Sequence, residues 1–271
     1  MEKDSYALPI FRHSNLSRYC TTINRDILFS HRSPGLVDSC LIVGEGQLSL
    51  LDSPVWNALS TFHASFAEGN EIAKRYPVDV APLAATHDQS AESYQSLARL
   101  LGPGGATALC FATEPNLPPG WTIVRMLPNV QMVWTGPLPK LAKHRIEDLN
   151  ASHTNEMLAL TELNKLGRFR KRAPGLGSYL GIHESGQLVA MAGEGFRFPG
   201  YTEISAVCTH PNHRGRGYAS SLVSALIQKI TERGESPFLH VGTENVDAIR
   251  LYEKLGFKTR RNINFAIVKR E

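Results

Sequence analysis

Cys208–Ile230 reads CTHPNHRGRGYASSLVSALIQKI, and this stretch decides the fold. Two arginines and two glycines, Arg214 to Gly217, stand directly before a segment in which Leu222, Val223, Leu226, Ile227 and Ile230 recur at three-four spacing. That spacing predicts a helix from Ala219 onward with one buried stripe. The first N–H groups of a helix lack intrahelical acceptors and lie at its positive dipole end, and glycines let an anion approach them. Arg214 and Arg216 add charge beside that position, which makes phosphate the natural guest. The plainer reading is a strand-to-helix turn that uses glycine only for its positive φ.

Three phosphate sites compete. A Walker loop ends in GKS or GKT, and this one does not. The dinucleotide fingerprint GxGxxG is nearly met by Gly215, Gly217 and Ser220, with Glu244 as the ribose acid after the next strand, but a lone run of this kind is weak. The antiparallel meander expected before the turn also argues against it, because the dinucleotide fold opens with a parallel βαβ unit. The pyrophosphate of coenzyme A is the third option.

Upstream, SYLGIHESGQLVAMAGEGFRF reads as a hairpin turning at Glu184 to Gly186, and YTEISAVCTH as a third strand, giving three adjacent antiparallel strands. Strand alternation puts Ile204, Ala206 and Cys208 on one face and Glu203, Ser205 and Val207 on the other. RIEDL, the helix TNEMLALTELNKL and the basic loop GRFRKRAPGLG come before them. Downstream, PFLHV is a buried strand, VDAIRLYEKLGF a helix closed by Gly256, and INFAIVK a last strand. The first half alternates as well: a helical pattern over SPVWNALSTFHASFAEGNEIAKRY with Ser53 as cap and Pro54 at its first position, a strand at VAPLAA, a helix at SAESYQSLARLL, a strand at ATALCFAT, and two extended runs, WTIVRML and VQMVW. The Pro- and Lys-rich TGPLPKLAKH is the linker candidate, so the expected domains are residues 1–139 and 140–271.

The chain has 271 residues, 42% of them hydrophobic, enough to fill two ordinary cores. Its start, MEKDSYALPIF, lacks the apolar run of a signal peptide, and no stretch has the length of a membrane span; the expectation is a cytoplasmic protein without a membrane partner. Cys20, Cys40, Cys110 and Cys208 lie far apart with no CxxC pair, which suits a reducing compartment and implies no metal site. The net charge is +4, and 19 of the 29 Lys and Arg lie from Leu141 onward against 13 of the 25 Asp and Glu. No aromatic residues interleave with these charges as a nucleic-acid stacking platform requires, so no nucleic-acid partner is expected.

Arg214 to Ala219, RGRGYA, matches the [QR]xxGx[GA] motif of the GCN5-related N-acetyltransferase (GNAT) superfamily, and Asn245 to Phe257, NVDAIRLYEKLGF, resembles its second signature, NxxAxxxYxxxGF. The resemblance covers Arg145 to Glu271 and is nearest the FR47-like branch. It implies an α/β GNAT fold over residues 140–271: a mixed, mostly antiparallel central sheet flanked by helices. Residues 1–139 are expected to form an α/β domain, a degenerate half of the same kind, because similar chains carry two such halves and GPGG at Gly102 to Gly105 opens no patterned helix.

The resemblance also implies roles. Backbone groups of Val207, Cys208 and Thr209 hold the pantetheine arm of acetyl-CoA or another acyl-CoA. Arg214, Gly215, Arg216, Gly217, Tyr218, Ala219 and Ser220 wrap the pyrophosphate, and Asn245 and Tyr252 flank the thioester. The implied activity is N-acyl transfer, with acetyl expected, to a small-molecule or peptide amine by direct attack in a ternary complex; a CoA-binding sensor or scaffold without turnover is the alternative. An amine attacks only as the free base, and a departing thiolate gains from a donor. Tyr252, whose ordinary pKa of about 10 keeps it protonated, is the candidate donor. Glu203, spaced like the glutamate of the histone-acetylating members, is the candidate base. Each has a structural alternative: Tyr252 as core, Asn245 as a helix cap, Glu203 as a solvated strand end. A Cys208–His210 acyl-enzyme pair and a His210–His213 metal site are weaker readings, and the loop Arg168 to Arg172 either is solvated or favours an acceptor with a carboxylate or phosphate. The acceptor and the oligomeric state stay open.

Overall fold

The computed structural model describes residues 49–140, 143–167 and 169–271, which belong to one compact unit. Cys20, Cys40, the opening MEKDSYALPIF, Leu141 and Ala142 of the linker candidate, and Arg168 lie outside the described residues. The order is α1 (Pro54–Ser60), β1 (Glu68–Gly69), β2 (Ala73–Arg75), β3 (Ala84–Thr86), α2 (Ala91–Leu101), β4 (Ala106–Phe111), β5 (Trp121–Trp134), β6 (Glu147–Leu149), α3 (Thr154–Leu163), β7 (Tyr179–Glu184), β8 (Gln187–Phe198), β9 (Tyr201–Thr209), α4 (Tyr218–Glu232), β10 (Ser236–Gly242), α5 (Val246–Lys254) and β11 (Phe257–Arg270). β1 to β3 form a small sheet; the rest form an eight-stranded sheet in the order β4-β11-β5-β10-β9-β8-β7-β6. The three-strand meander β7-β8-β9 is antiparallel as expected, while β10 runs parallel to β9 after the α4 crossover.

The stripe on α4 works as its spacing predicts. Leu222, Val223, Leu226, Ile227 and Ile230 are fully buried against Val189, Ala190, Ile204, Leu239 and Tyr252. Each such side chain contributes about 1.5–3 kcal/mol by leaving water. Alternation along β10 sends Leu239 and Val241 into this cluster and Phe238 into a second one, where it meets Phe196, Phe198, Phe265, Leu59 and Tyr76. Residues of the first half thus cover one face of the sheet and α4 and α5 the other.

Several expectations need correction. Pro139 does not divide two cores: β4 and β5 lie in the same sheet as β6 to β11, and β5 sits between β10 and β11. WTIVRML and VQMVW are one strand, continued through Pro128. The helical run expected over 53–76 stops at Ser60. Thr61 Oγ1 there captures the carbonyl of Asn57 at 2.6 Å, and His63 turns inward to bond Tyr76. Pro54 does occupy the first turn, but Ser53 makes no side-chain cap. The alternation expected through β9 also breaks. Two residues, Ala206 and Val207, oppose one on β8, and Ala206 takes φ 52°, a bulge. Ile204 and Val207 therefore pack on the α4 side, and Ala206 and Cys208 pack with Met157, Leu160 and Met191 on the α3 side.

Candidate active site

A bulge bends its strand, and the bend opens the sheet. β9 and β10 pair only over Tyr201–Glu203 and Ser236–Phe238; beyond that they part. The β9 edge from Ile204 to Thr209, with Val207, Cys208 and Thr209 at its far end, faces this gap with ladder groups that β10 does not take up. At the end of the gap the chain turns through a 3-10 turn, Pro211–His213, and enters α4.

Gly215 and Gly217 hold φ 77° and 80°, which makes glycine the residue the turn needs. A Cβ on Gly215 would meet nothing within 4 Å, and one on Gly217 only the His144 ring at 3.7 Å. The space over the first turn of α4 is therefore open. Arg214, Gly215, Arg216 and Gly217 are exposed; Ala219 and Ser220 are half-buried. Tyr218 is buried and donates its hydroxyl to Glu184. Arg216 donates to the same carboxylate at 2.9 Å and His213 lies 3.3 Å from it, while Arg214 donates to Asn164 Oδ1 at 2.8 Å. Glu184, which the sequence marks only as a hairpin corner, thus organises the turn. The hairpin itself turns at Ser185 and Gly186, both at positive φ. His144 is a second residue missed there: it bonds Ser221 Oγ at 2.8 Å and packs edge-on against Tyr218.

Glu203 is buried, not solvated. Its Oε2 accepts the Phe196 N–H at 3.1 Å, and its Oε1 lies 2.7 Å from His240 Nδ1. Gly195 leaves it room, since a Cβ there would come within 2.2 Å of Oε2. Behind it runs a chain of partners that joins distant segments. Gln131 Nε2 lies 3.0 Å from His240 Nε2 and donates to Leu51 O at 2.8 Å, and Gln131 Oε1 accepts from Arg260 at 2.8 Å. Those partners orient the amide, and an amide nitrogen only donates. His240 Nε2 must therefore accept, so the imidazole proton sits on Nδ1 and points at Glu203. Arg260 and Arg261 both meet Asp52, whose carboxyl their bonds hold below its ordinary value although burial pushes the other way.

Glu203, Ser205, Ala206 and Tyr179 line a cavity of about 550 Å³, which places the carboxylate and the bulge on one space. Tyr252 packs instead on the α4 side, edge-on to Phe257. Burial, then the nearness of Cys208, pushes its hydroxyl up to about 12. Asn245 caps α5, accepting the Ala248 N–H at 3.3 Å. Burial pushes the Cys208 thiol up to about 12, against Arg214 and a Met191 backbone bond that act the other way. The His210 ring accepts from the Asn212 N–H. Glu244 is exposed beyond β10. The turn does follow an antiparallel meander, as expected, although the β9-α4-β10 crossover is itself parallel. Among the described residues, no group of three or more His, Cys, Asp and Glu could hold a metal, and no helix is long and apolar enough to cross a membrane.

The FR47-like protein family matches residues 179–266. A candidate acetyltransferase of the GNAT family from Novosphingobium aromaticivorans, a solved structure, is 34% identical with a TM-score of 0.76, over 82% of this chain and 99% of that one. An acetyltransferase of Yersinia pestis is 43% identical over 56 residues, 20% of this chain and 39% of the relative. A mycothiol acetyltransferase of Corynebacterium aurimucosum is 35% identical over 60 residues, 22% of this chain and 20% of the relative. The chain thus spans two fifths or less of the length of these curated relatives. Identity of 34% over 99% of the Novosphingobium structure, joined to the glycine turn and the split between β9 and β10, identifies the chain as a member of the GNAT superfamily.

Proposed function

We propose that this chain is an acyl-CoA-dependent N-acyltransferase that moves acetyl from acetyl-CoA to a primary amine by direct attack. The observation that carries the reading is the gap between β9 and β10, which leads from the Glu203 cavity to the open glycine turn at α4. The N–H groups of Gly215 to Ser220 take the pyrophosphate there, with Arg214 and Arg216 exchanging Asn164 and Glu184 for it. The edge of Val207, Cys208 and Thr209 takes the pantetheine arm, beside Asn245 and Tyr252.

Glu203 takes a proton from the incoming ammonium, and the freed lone pair forms the C–N bond as the C–S bond breaks. Tyr252 gives its proton to the sulfur. Of the two protons the ammonium loses, one leaves through Glu203 to solvent and the other replaces the one Tyr252 gave.

Calorimetry with acetyl-CoA tests the cofactor half of the proposal. Gly217→Val sets a branched side chain at φ 80° over the open turn and is expected to weaken binding about tenfold or more with the circular dichroism unchanged. Undiminished affinity removes the pyrophosphate from this turn. Stronger thermal stabilisation by NAD or NADP than by acetyl-CoA reverses the choice of ligand. Turnover across an amine panel, followed by thiol release, separates the enzyme from a sensor.

A further inference from the structure

The cavity beside Glu203 draws its charged lining from three separate places: Arg125 from β5, Lys165 and Arg170 from the loop after α3, and Glu203 from β9. Glu203 is the one carboxylate among the described lining residues and is 5% exposed, whereas Arg125 and Lys165 are exposed and Arg170 half-buried. Between these charges the walls are apolar, built from Leu127, Leu166, Phe169, Leu176, Phe196 and Ile267. The space therefore carries one negative charge at its inner end, three positive charges at its mouth, and a greasy middle. Its volume of about 550 Å³ lies within the range of small-molecule sites.

A solvated basic loop would account for Lys165 and Arg170 but not for Arg125, which arrives from a central strand of the sheet. Nor are these cations spent elsewhere. Arg172 of the same loop is paired with Asp79, and Arg75 with Glu68; among the described residues Arg125, Lys165 and Arg170 are in no ion pair. Among the described residues, Arg170 donates only to the carbonyls of Gly167 and Phe169.

Resting on the transferase reading above, we infer that the acceptor is a primary amine with an apolar body and an anionic group. Its ammonium end lies toward Glu203 and its carboxylate or phosphonate end toward Arg125, Lys165 and Arg170. A guanidinium fork meets either anion, and a site built this way rejects an amine that leaves its cations unmatched.

Paired substrates test this. 4-(Aminomethyl)benzoate, 4-(aminomethyl)phenylphosphonate and benzylamine share an apolar body with an amine at one end; the first two carry an anion at the other end, and the last lacks it. With wild-type protein and acetyl-CoA, kcat/KM for one of the two anionic amines is expected to exceed that for benzylamine by about tenfold or more. In Arg125→Gln/Lys165→Gln, two exposed side chains whose change spares the core, that ratio is expected to fall toward one. Equal rates in the wild type, or a preference that survives both substitutions, overturn the proposal. If no amine turns over, 4-(acetamidomethyl)benzoate and N-benzylacetamide are titrated by calorimetry. Carboxylate-dependent binding that disappears in the double variant upholds the cavity assignment and sinks the transferase reading alone; binding without carboxylate dependence, or none, overturns the assignment too.

Discussion

His240 Nδ1 lies 2.7 Å from Glu203 Oε1, with the imidazole fully buried. For the base proposed above, His240 is the positioning residue: it holds the Glu203 carboxylate and is itself held by Gln131. His240→Phe leaves Oε1 buried without that donor and is expected to lower kcat about tenfold or more, with KM for acetyl-CoA little changed. His240→Asn, which can still donate, should recover part of the loss. A merely structural histidine would lower the melting temperature and leave the pH profile of kcat/KM for the amine unmoved. Glu203→Gln is the companion: its deficit should shrink at high pH, where more of the amine is already free.

Tyr252→Phe removes one hydroxyl and leaves the ring against Phe257. Turnover is expected to fall roughly a hundredfold with acetyl-CoA affinity unchanged, a loss confined to the transition state. Because burial pushes the hydroxyl up to about 12, its protonated form persists through the ordinary assay range, and no alkaline limb from this group should appear in kcat below about pH 10. A Phe variant with wild-type turnover removes Tyr252 from the mechanism.

Cys208 is expected to be inert. A thiol held up at about 12 and 6% exposed supplies almost no thiolate, so native protein should leave it unlabelled by iodoacetamide at pH about 8, while denatured protein labels fully. Cys208→Ala should keep turnover within severalfold. Loss of activity there, with the fold intact, would instead restore the acyl-enzyme pair.

His63 sits 3% exposed with Nδ1 on the Tyr76 hydroxyl at 2.8 Å, and burial pushes its pKa down from 6.5 to about 4. On acidification the unfolded chain takes up this proton first, so stability present above pH 6.5 is lost as the pH falls toward 4. The full loss is at most about 3 kcal/mol. Urea midpoints at neutral and acid pH should drop more steeply for the wild type than for His63→Gln, and equal slopes would remove His63 from the acid response.

The turn and its helix were legible because their signals are local. Gly215 and Gly217 need only a positive φ, and the α4 stripe only its spacing. The surroundings of Glu203 were not, because they assemble across the sheet: Gln131 meets His240 as its register partner on the neighbouring strand, 109 residues away, and Arg125 reaches the cavity beside Glu203 from a strand read as lying in another domain. The bulge was hidden for a different reason. Ala206 adopts a left-handed conformation without any glycine or asparagine to announce it, and one extra residue reverses every face after it. The long helix expected from Ser53 failed because local spacing carries no information about the buried His63–Tyr76 contact that ends it.

The place of β5 has a consequence for how such chains can be inherited. The stretch recognisable by family, 179–266, ends on β11, yet β11 and β10 never touch as neighbours; each is stitched to β5 instead. A gene fragment starting after Pro139 would encode the glycine turn, the glutamate and the tyrosine, and still produce two bare strand edges in the middle of a sheet. An exchange that moves residues 140–271 therefore keeps the sheet whole only if Trp121–Trp134 travels with them, although the family match begins at residue 179.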